Sequence, residues 1–188
     1  RLRRDDNYSL RDCAIMYRVN AQSRAFEEAC LRYGVPYKLV GGVRFYQRQE
    51  IKDVLAYLRI LLNPYDNVSL ARVINTPPRG IGQKTMDELR RWAQSHNLSL
   101  YAAIQTVADE KERDARSTHS MGPRAVHVLI NFLHLINNVM EHSQQASLVG
   151  LIDMVLEHTG YMRYIQEAND DRADERVENI QELRDVAR

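Results

Sequence analysis

The sequence predicts a mainly helical chain, a multi-helix unit preceded by a small β-α-β piece of an α/β domain. Two observations carry this reading. From residue 51 onward, apolar residues recur at three- and four-residue intervals through one segment after another. The two runs that read as strands, residues 13–17 and 37–40, both lie before residue 45, and nothing later returns to strand patterning. The change of character near Phe45 divides the chain into residues 1–45 and 46–188.

Taken in order, residues 1–10 are polar and read as a linker. Cys13-Ala-Ile-Met-Tyr17 is too short for a helix and reads as a buried strand. Asn20 is placed to cap a helix through Ala25, Phe26, Ala29 and Cys30 that stops at Gly34. Tyr37-Lys-Leu-Val40 reads as a second strand, closed by Gly41 and Gly42. An isolated crossover unit cannot bury both faces of its sheet, so these strands need neighbours that the sequence does not contain. Next, Ile51, Val54, Leu55, Leu58, Leu61 and Leu62 fall on one helical face, with Glu50, Lys52, Asp53 and Arg59 on the other. Asn63-Pro64 stops that helix, and residues 68–74 form a short one. After a glycine turn, Met86, Leu89 and Ala93 share a helical face with Trp92 beside them. Ser99 caps a further helix through Ala108, and residues 109–121 read as an exposed loop. Pro123 suits the first turn of a long helix with Val126, Leu129, Ile130, Leu133, Ile136 and Met140 inward. Leu148, Leu151, Ile152, Val155 and Leu156 make the next, ended by Gly160. An acidic loop then leads to a polar helix with Val177, Ile180, Leu183 and Val186 on one face.

Composition excludes several classes of function. At 44% hydrophobic and 27% charged residues, the chain is ordinary for a globular protein. A net charge of +1 gives no general attraction to nucleic acid, so any such face must be local. Cys13 and Cys30 cannot make a disulfide framework and fit a reducing compartment. No apolar run approaches the roughly 18 residues that span a membrane. The absence of a signal peptide makes the cytoplasm the expected location, with no membrane partner. The start in mid-pattern, without Met, reads as a piece of a larger protein. There is no G-x-x-x-x-G-K-[ST] loop for nucleotide phosphates, and no acidic pair after an apolar strand to hold magnesium. His127 and His134 lack carboxylate or cysteine companions at metal-ligand spacing. No catalytic residue and no metal ligand is assigned.

The stretch Asn75-Thr-Pro-Pro-Arg-Gly-Ile-Gly-Gln-Lys-Thr85 organises the rest. Pro77 and Pro78 forbid helix there, while Gly80 and Gly82 let the backbone turn tightly and come close to a partner. Thr85 and Glu88 have capping-box spacing and place the next helix start near Thr85. A glycine turn feeding a helix N-terminus points free N–H groups and partial positive charge outward. With Arg79 and Lys84 beside it, that is a seat for one phosphate, or equally a plain loop–helix junction.

Three further motifs stand in a fixed order. Tyr17-Arg-Val-Asn-Ala-Gln-Ser-Arg24 lies where the first strand meets its helix, Val40-Gly-Gly-Val-Arg-Phe-Tyr-Gln-Arg-Gln-Glu50 where the chain changes character, and Pro78-Arg-Gly-Ile-Gly82 at the turn. This order and spacing resemble the UvrD/PcrA/Rep group of superfamily 1 DNA helicases, from about Cys13 to Leu100 and more weakly beyond, through Leu156-Glu-His-Thr-Gly-Tyr161. The resemblance implies that residues 1–45 are part of the second RecA-like domain and 46–188 the helical 2B subdomain inserted in it. It implies an ATP-dependent helicase as parent, active in repair or replication, with ATP and magnesium held outside this chain and no cofactor within it. Arg18 and Asn20 match the strand-end motif on the single-stranded DNA track. Arg79, Gly80, Ile81, Gly82, Lys84 and Thr85 match the turn that meets duplex backbone. Gly41, Gly42, Phe45, Arg48 and Glu50 match the hinge where the chain leaves one domain for the other, and Arg48 and Glu50 are expected to pair with DNA or with each other. The implied partners are duplex DNA at a single-strand junction, the rest of the helicase chain, and repair or transcription proteins. A protein-interaction module is the alternative, using the acidic stretch 170–178 and the loop 109–121 while the turn stays idle.

Overall fold

A computed structural model describes residues 9–40, 44–113, 118–168 and 172–188. The chain divides into two compact units, Arg1–Phe45 and Tyr46–Arg188.

In the first unit, a 3-10 turn at Leu10–Asp12 is closed by a capping box with Ser9. A second 3-10 turn, Asn20–Gln22, leads into helix α1, Ser23–Arg32, whose N-cap is Gln22. Asn20 therefore opens the turn before the helix and does not cap the helix itself. Gly34, at φ +63°, ends α1, and the Val35 amide folds back to donate to the Cys30 carbonyl at 2.8 Å. The buried side of α1 is polar. Glu27 accepts from Ser23 Oγ at 2.9 Å, Tyr37 O–H at 3.4 Å and the Phe45 amide at 3.4 Å.

The expected strands at 13–17 and 37–40 do not form, and no strand occurs among the described residues. The reason is the one the sequence already contained: a strand exists only as part of a ladder, and these segments have none to join. Ile15, Met16 and Val40 stay in solvent, 58%, 95% and 85% exposed. Gly41 and Gly42 lie outside the described residues.

The second unit contains eight described helices. They are α2 (Gln49–Leu62), α3 (Asn67–Val73), α4 (Gln83–Ser95), α5 (Leu100–Glu112), α6 (Pro123–Ser143), α7 (Leu148–His158), α8 (Tyr161–Gln166) and α9 (Ala173–Val186). The capping residues do what their chemistry suggests. Asp66 accepts from the Val68 and Ser69 amides at the head of α3, Ser99 caps α5, and Ser147 caps α7. Helix α2 is the centre, packing on α3, α6, α7 and α9. Ile51, Val54 and Ile60 of α2, Ile104 of α5, Leu129 and Phe132 of α6, Ile152 of α7 and Ile180 of α9 are buried. Burial of each such side chain contributes roughly 1.5–3 kcal/mol.

Central placement changes the expected role of one face of α2. Glu50 and Asp53 are 5% and 3% exposed, not solvated. With helices on several sides, the part of the polar face that holds Glu50 and Asp53 is covered while Lys52 and Arg59 stay exposed, and each carboxylate is kept by donors. Asn179 Nδ2 donates to Glu50 Oε1 at 2.7 Å, and Arg48 Nη1 donates to Asn179 Oδ1. Arg72 Nε and Tyr161 O–H donate to the two oxygens of Asp53 at 2.7 and 2.8 Å. The loop expected at 109–121 is also shorter. Residues 109–112 continue α5, Thr118 Oγ1 donates to Glu110 Oε1, and Met121 is buried.

Candidate nucleic-acid interface

The glycine turn sits between α3 and α4. One side chain gathers its backbone: Asn75 Oδ1 accepts from the Arg79 amide at 2.8 Å and the Ile81 amide at 3.1 Å. Gly80 has φ +79°, the left-handed region that a side chain disfavours. Gly82 is ordinary at φ −79° and ψ 174° and is the N-cap of α4. The helix thus begins at Gln83, two residues before the expected start, and Thr85 is inside it. A glycine in extended conformation can end the turn and start the helix in one residue, which makes the Thr85 box unnecessary.

No side chain caps α4, and its first turn holds no acidic residue. The leading amides of a helix have no intrahelical acceptor, so this end presents donors and partial positive charge. Gly80, Gly82, Gln83 and Lys84 are exposed, and Thr85 is half-buried. Ile81 is buried, its amide held by Asn75 Oδ1, and acts as the plug that anchors the turn. Arg79 also turns inward. Its guanidinium donates to the carbonyls of Val73 and Pro77 at 3.1 Å and to the Tyr57 hydroxyl at 2.8 Å. Burial raises the pKa of Tyr57 despite that cation, which keeps the hydroxyl a donor, and it donates to the Thr76 carbonyl.

A second part of this face was missed in the sequence. A Cβ built on Gly80 would lie 3.9 Å from Val128 Cγ1, so the turn lies against α6. Arg124 is one helical turn before Val128 on that face and is exposed. Helix α6 repeats the α4 pattern, with exposed Gly122 as N-cap, no side-chain cap, no acidic residue in the first turn, and Pro123 behind it. The repeated glycine-before-helix pattern was the available signal. Lys84 and Arg124 are thus the exposed cations that accompany two uncapped helix starts.

The remaining expected residues are elsewhere. Arg18 is exposed in the first unit, its amide donating to Gln22 Oε1 at 3.1 Å, and Asn20 is half-buried. Phe45 is buried. Arg48 and Glu50 are buried and joined through Asn179, which makes them part of the interior of the second unit. Among the described residues, no group of histidine, cysteine and carboxylate side chains is arranged to hold a metal ion. No described helix is long and apolar enough to cross a membrane.

Comparison with known proteins agrees with the motif order. The family described as UvrD-like helicase C-terminal domain matches residues 1–188. DNA helicase II of Haemophilus influenzae is 40% identical over 174 residues, 93% of this chain and 23% of that protein. DNA helicase II of Escherichia coli is 37% identical over 95% of the chain and 24% of its own length. The ATP-dependent DNA helicase PcrA of Bacillus subtilis is 36% identical over 95% of the chain and 23% of its own length. The chain therefore spans about a quarter of the length of these relatives.

Proposed function

Because the chain belongs to the UvrD-like helicase C-terminal domain family, we propose that it is the part of an ATP-dependent DNA helicase that holds duplex DNA by its backbone. Residues 46–188 are the inserted helical subdomain, and residues 1–45 a piece of the second RecA-like domain. ATP and magnesium are bound by segments outside this chain, so the chain alone turns over no ATP. The observation that carries the reading is the exposed, uncapped start of α4 at Gly82, with Lys84 beside it. A helix N-terminus accepts a phosphate without reading a base, which suits a motor that must move along any sequence. Arg124 and the start of α6 extend the same face.

Gly80, Gly82, Lys84 and Thr85 are the contact, while Arg79 and Ile81 hold it in shape. Arg18 and Asn20 serve the single-stranded track. The hinge reduces to Gly41, Gly42 and Phe45, with Arg48 and Glu50 as the fixed root of the second unit. Repair or transcription proteins are the partner class for the exposed acidic residues Asp174 and Glu178.

The test is fluorescence anisotropy with a short duplex over a range of salt. Two or three phosphates engaged give a log–log salt slope of about −2 to −3. Val fits the φ of Gly82, and nothing lies within 4 Å of the position of its Cβ, so Gly82→Val folds normally. Its side chain then stands between the amides and the phosphate, and binding is lost. Equal binding by folded Gly82→Val would show that the turn is not the contact.

A further inference from the structure

The turn is held by side chains that lie beneath it. Arg79 Nη1 donates to the carbonyls of Val73 at 3.1 Å, Ile74 at 3.4 Å and Pro77 at 3.1 Å. Nη2 donates to Tyr57 O–H at 2.8 Å and to the Thr159 carbonyl at 3.3 Å. The guanidinium carbon lies 6.0 Å from the ring centre of Tyr57 and 5.7 Å from that of Phe132. Val73 is the last residue of α3 and Thr159 the C-cap of α7. The cation therefore sits against the negative ends of two helices. Its positive charge is met by neutral oxygens and π faces inside the unit.

Tyr57 is fully buried. Its hydroxyl accepts from Arg79 and donates to the Thr76 carbonyl, so it ties α2 to the start of the turn. The Arg79 amide donates to Asn75 Oδ1, which also accepts from Ile81. The side chain and the backbone of Arg79 thus pin the same loop from two directions. The amides left to face outward are those that follow, at the head of α4.

We propose that Arg79 and Tyr57 are positioning residues of the duplex grip, acting through the backbone of the turn and touching no DNA. This rests on the turn being the duplex contact. Five acceptors around one planar fork fix the angle at which the chain leaves α3 and therefore the direction of the α4 amides. Because the Arg79 guanidinium is turned inward onto these acceptors and reaches no phosphate, its loss should leave the number of counterions released on binding unchanged.

The test compares three variants of the chain, each checked for folding by circular dichroism and thermal melting. Tyr57→Phe keeps the ring and removes the hydroxyl, Arg79→Gln removes the charge and the fork, and Lys84→Ala reports direct contact. Duplex affinity is measured over a range of salt. Tyr57→Phe and Arg79→Gln each weaken binding about fivefold with unchanged salt slope, and the double variant is no worse than the weaker single. Lys84→Ala makes the slope shallower by about one. A merely structural role lowers the melting temperature and leaves affinity below it unchanged, and that result in Tyr57→Phe overturns the proposal. A slope shallower by about one in Arg79→Gln also overturns it, since a phosphate contact would then have been lost. If Arg79→Gln does not fold, Tyr57→Phe decides alone. Normal Tyr57→Phe binding beside a weakened Lys84→Ala removes the inference and keeps the contact, whereas no duplex binding by the unmodified chain removes both.

Discussion

Asn179 is the residue whose loss the second unit should feel most. It is 2% exposed, on α9, between two charged side chains of the α2 head that are themselves buried. Its amide nitrogen donates to Glu50 and its oxygen accepts from Arg48. Asn179→Leu keeps the branching and heavy-atom count of the side chain, in a somewhat larger volume, and removes both bonds. Each hydrogen bond to a charged group contributes about 1.5–3 kcal/mol, so two give a loss of about 3–5 kcal/mol once water entry softens the effect. That is a large share of the roughly 5–15 kcal/mol that holds a typical domain together. The assay is urea unfolding followed by the fluorescence of Trp92, the single tryptophan, which lies on α4 and so reports on this unit. A fall of less than about 1 kcal/mol would refute the reasoning, since it is the size of an ordinary surface substitution or little more.

Asp53 gives a pH signature. Burial pushes its carboxyl above 3.8, partly offset by the Tyr161 hydrogen bond and Arg72. The folded state then keeps this proton to higher pH than the unfolded chain, so its contribution to stability falls as pH rises above about 4. The unmodified chain should therefore lose stability relative to Asp53→Asn over that window in urea titrations, and a gain would reverse the sign argued here. Gly80→Ala places a side chain at φ +79° and should cost about 1–2 kcal/mol by thermal melting, whereas Gly82→Ala, at φ −79°, should be nearly neutral. Equal costs would contradict the assigned dihedrals. Amide exchange should be rapid in residues 14–17 and 37–40, which have no ladder, and slow in 51–60 and 126–139. Equal protection would count against the division at Phe45.

The longer helices of the second unit were legible because their apolar residues keep a 3.6-residue period and Ser99 is an ordinary cap, whereas the short α8, Tyr161–Gln166, holds too few turns to show a period and was not read. The strands at 13–17 and 37–40 were misread because a short apolar run reports burial or pairing that only neighbours can supply. Glu50 and Asp53 were misread for the opposite reason. A carboxylate on the far face of an amphipathic helix is solvated by default, and nothing local announces that α9 and α8 bring Asn179 and Tyr161 to it. At the turn, the glycines, Lys84 and the helix behind them could be read directly. The inward bend of Arg79 could not, since its acceptors come from Tyr57 and Thr159, far away in sequence. Arg124 was within reach, as Gly122 and Pro123 repeat the glycine-before-helix pattern of Gly82.

The central claim is that DNA meets this chain at the head of α4. Amide chemical-shift mapping on the labelled chain, with a short duplex added stepwise, tests it most directly. The account predicts that the largest shifts fall on Gly80, Gly82, Gln83, Lys84 and Thr85, with a second group at Gly122 and Arg124, and that all of them fade as salt is raised. Largest shifts in residues 109–113, 118–121 or 172–178, with the α4 head unchanged, would contradict it.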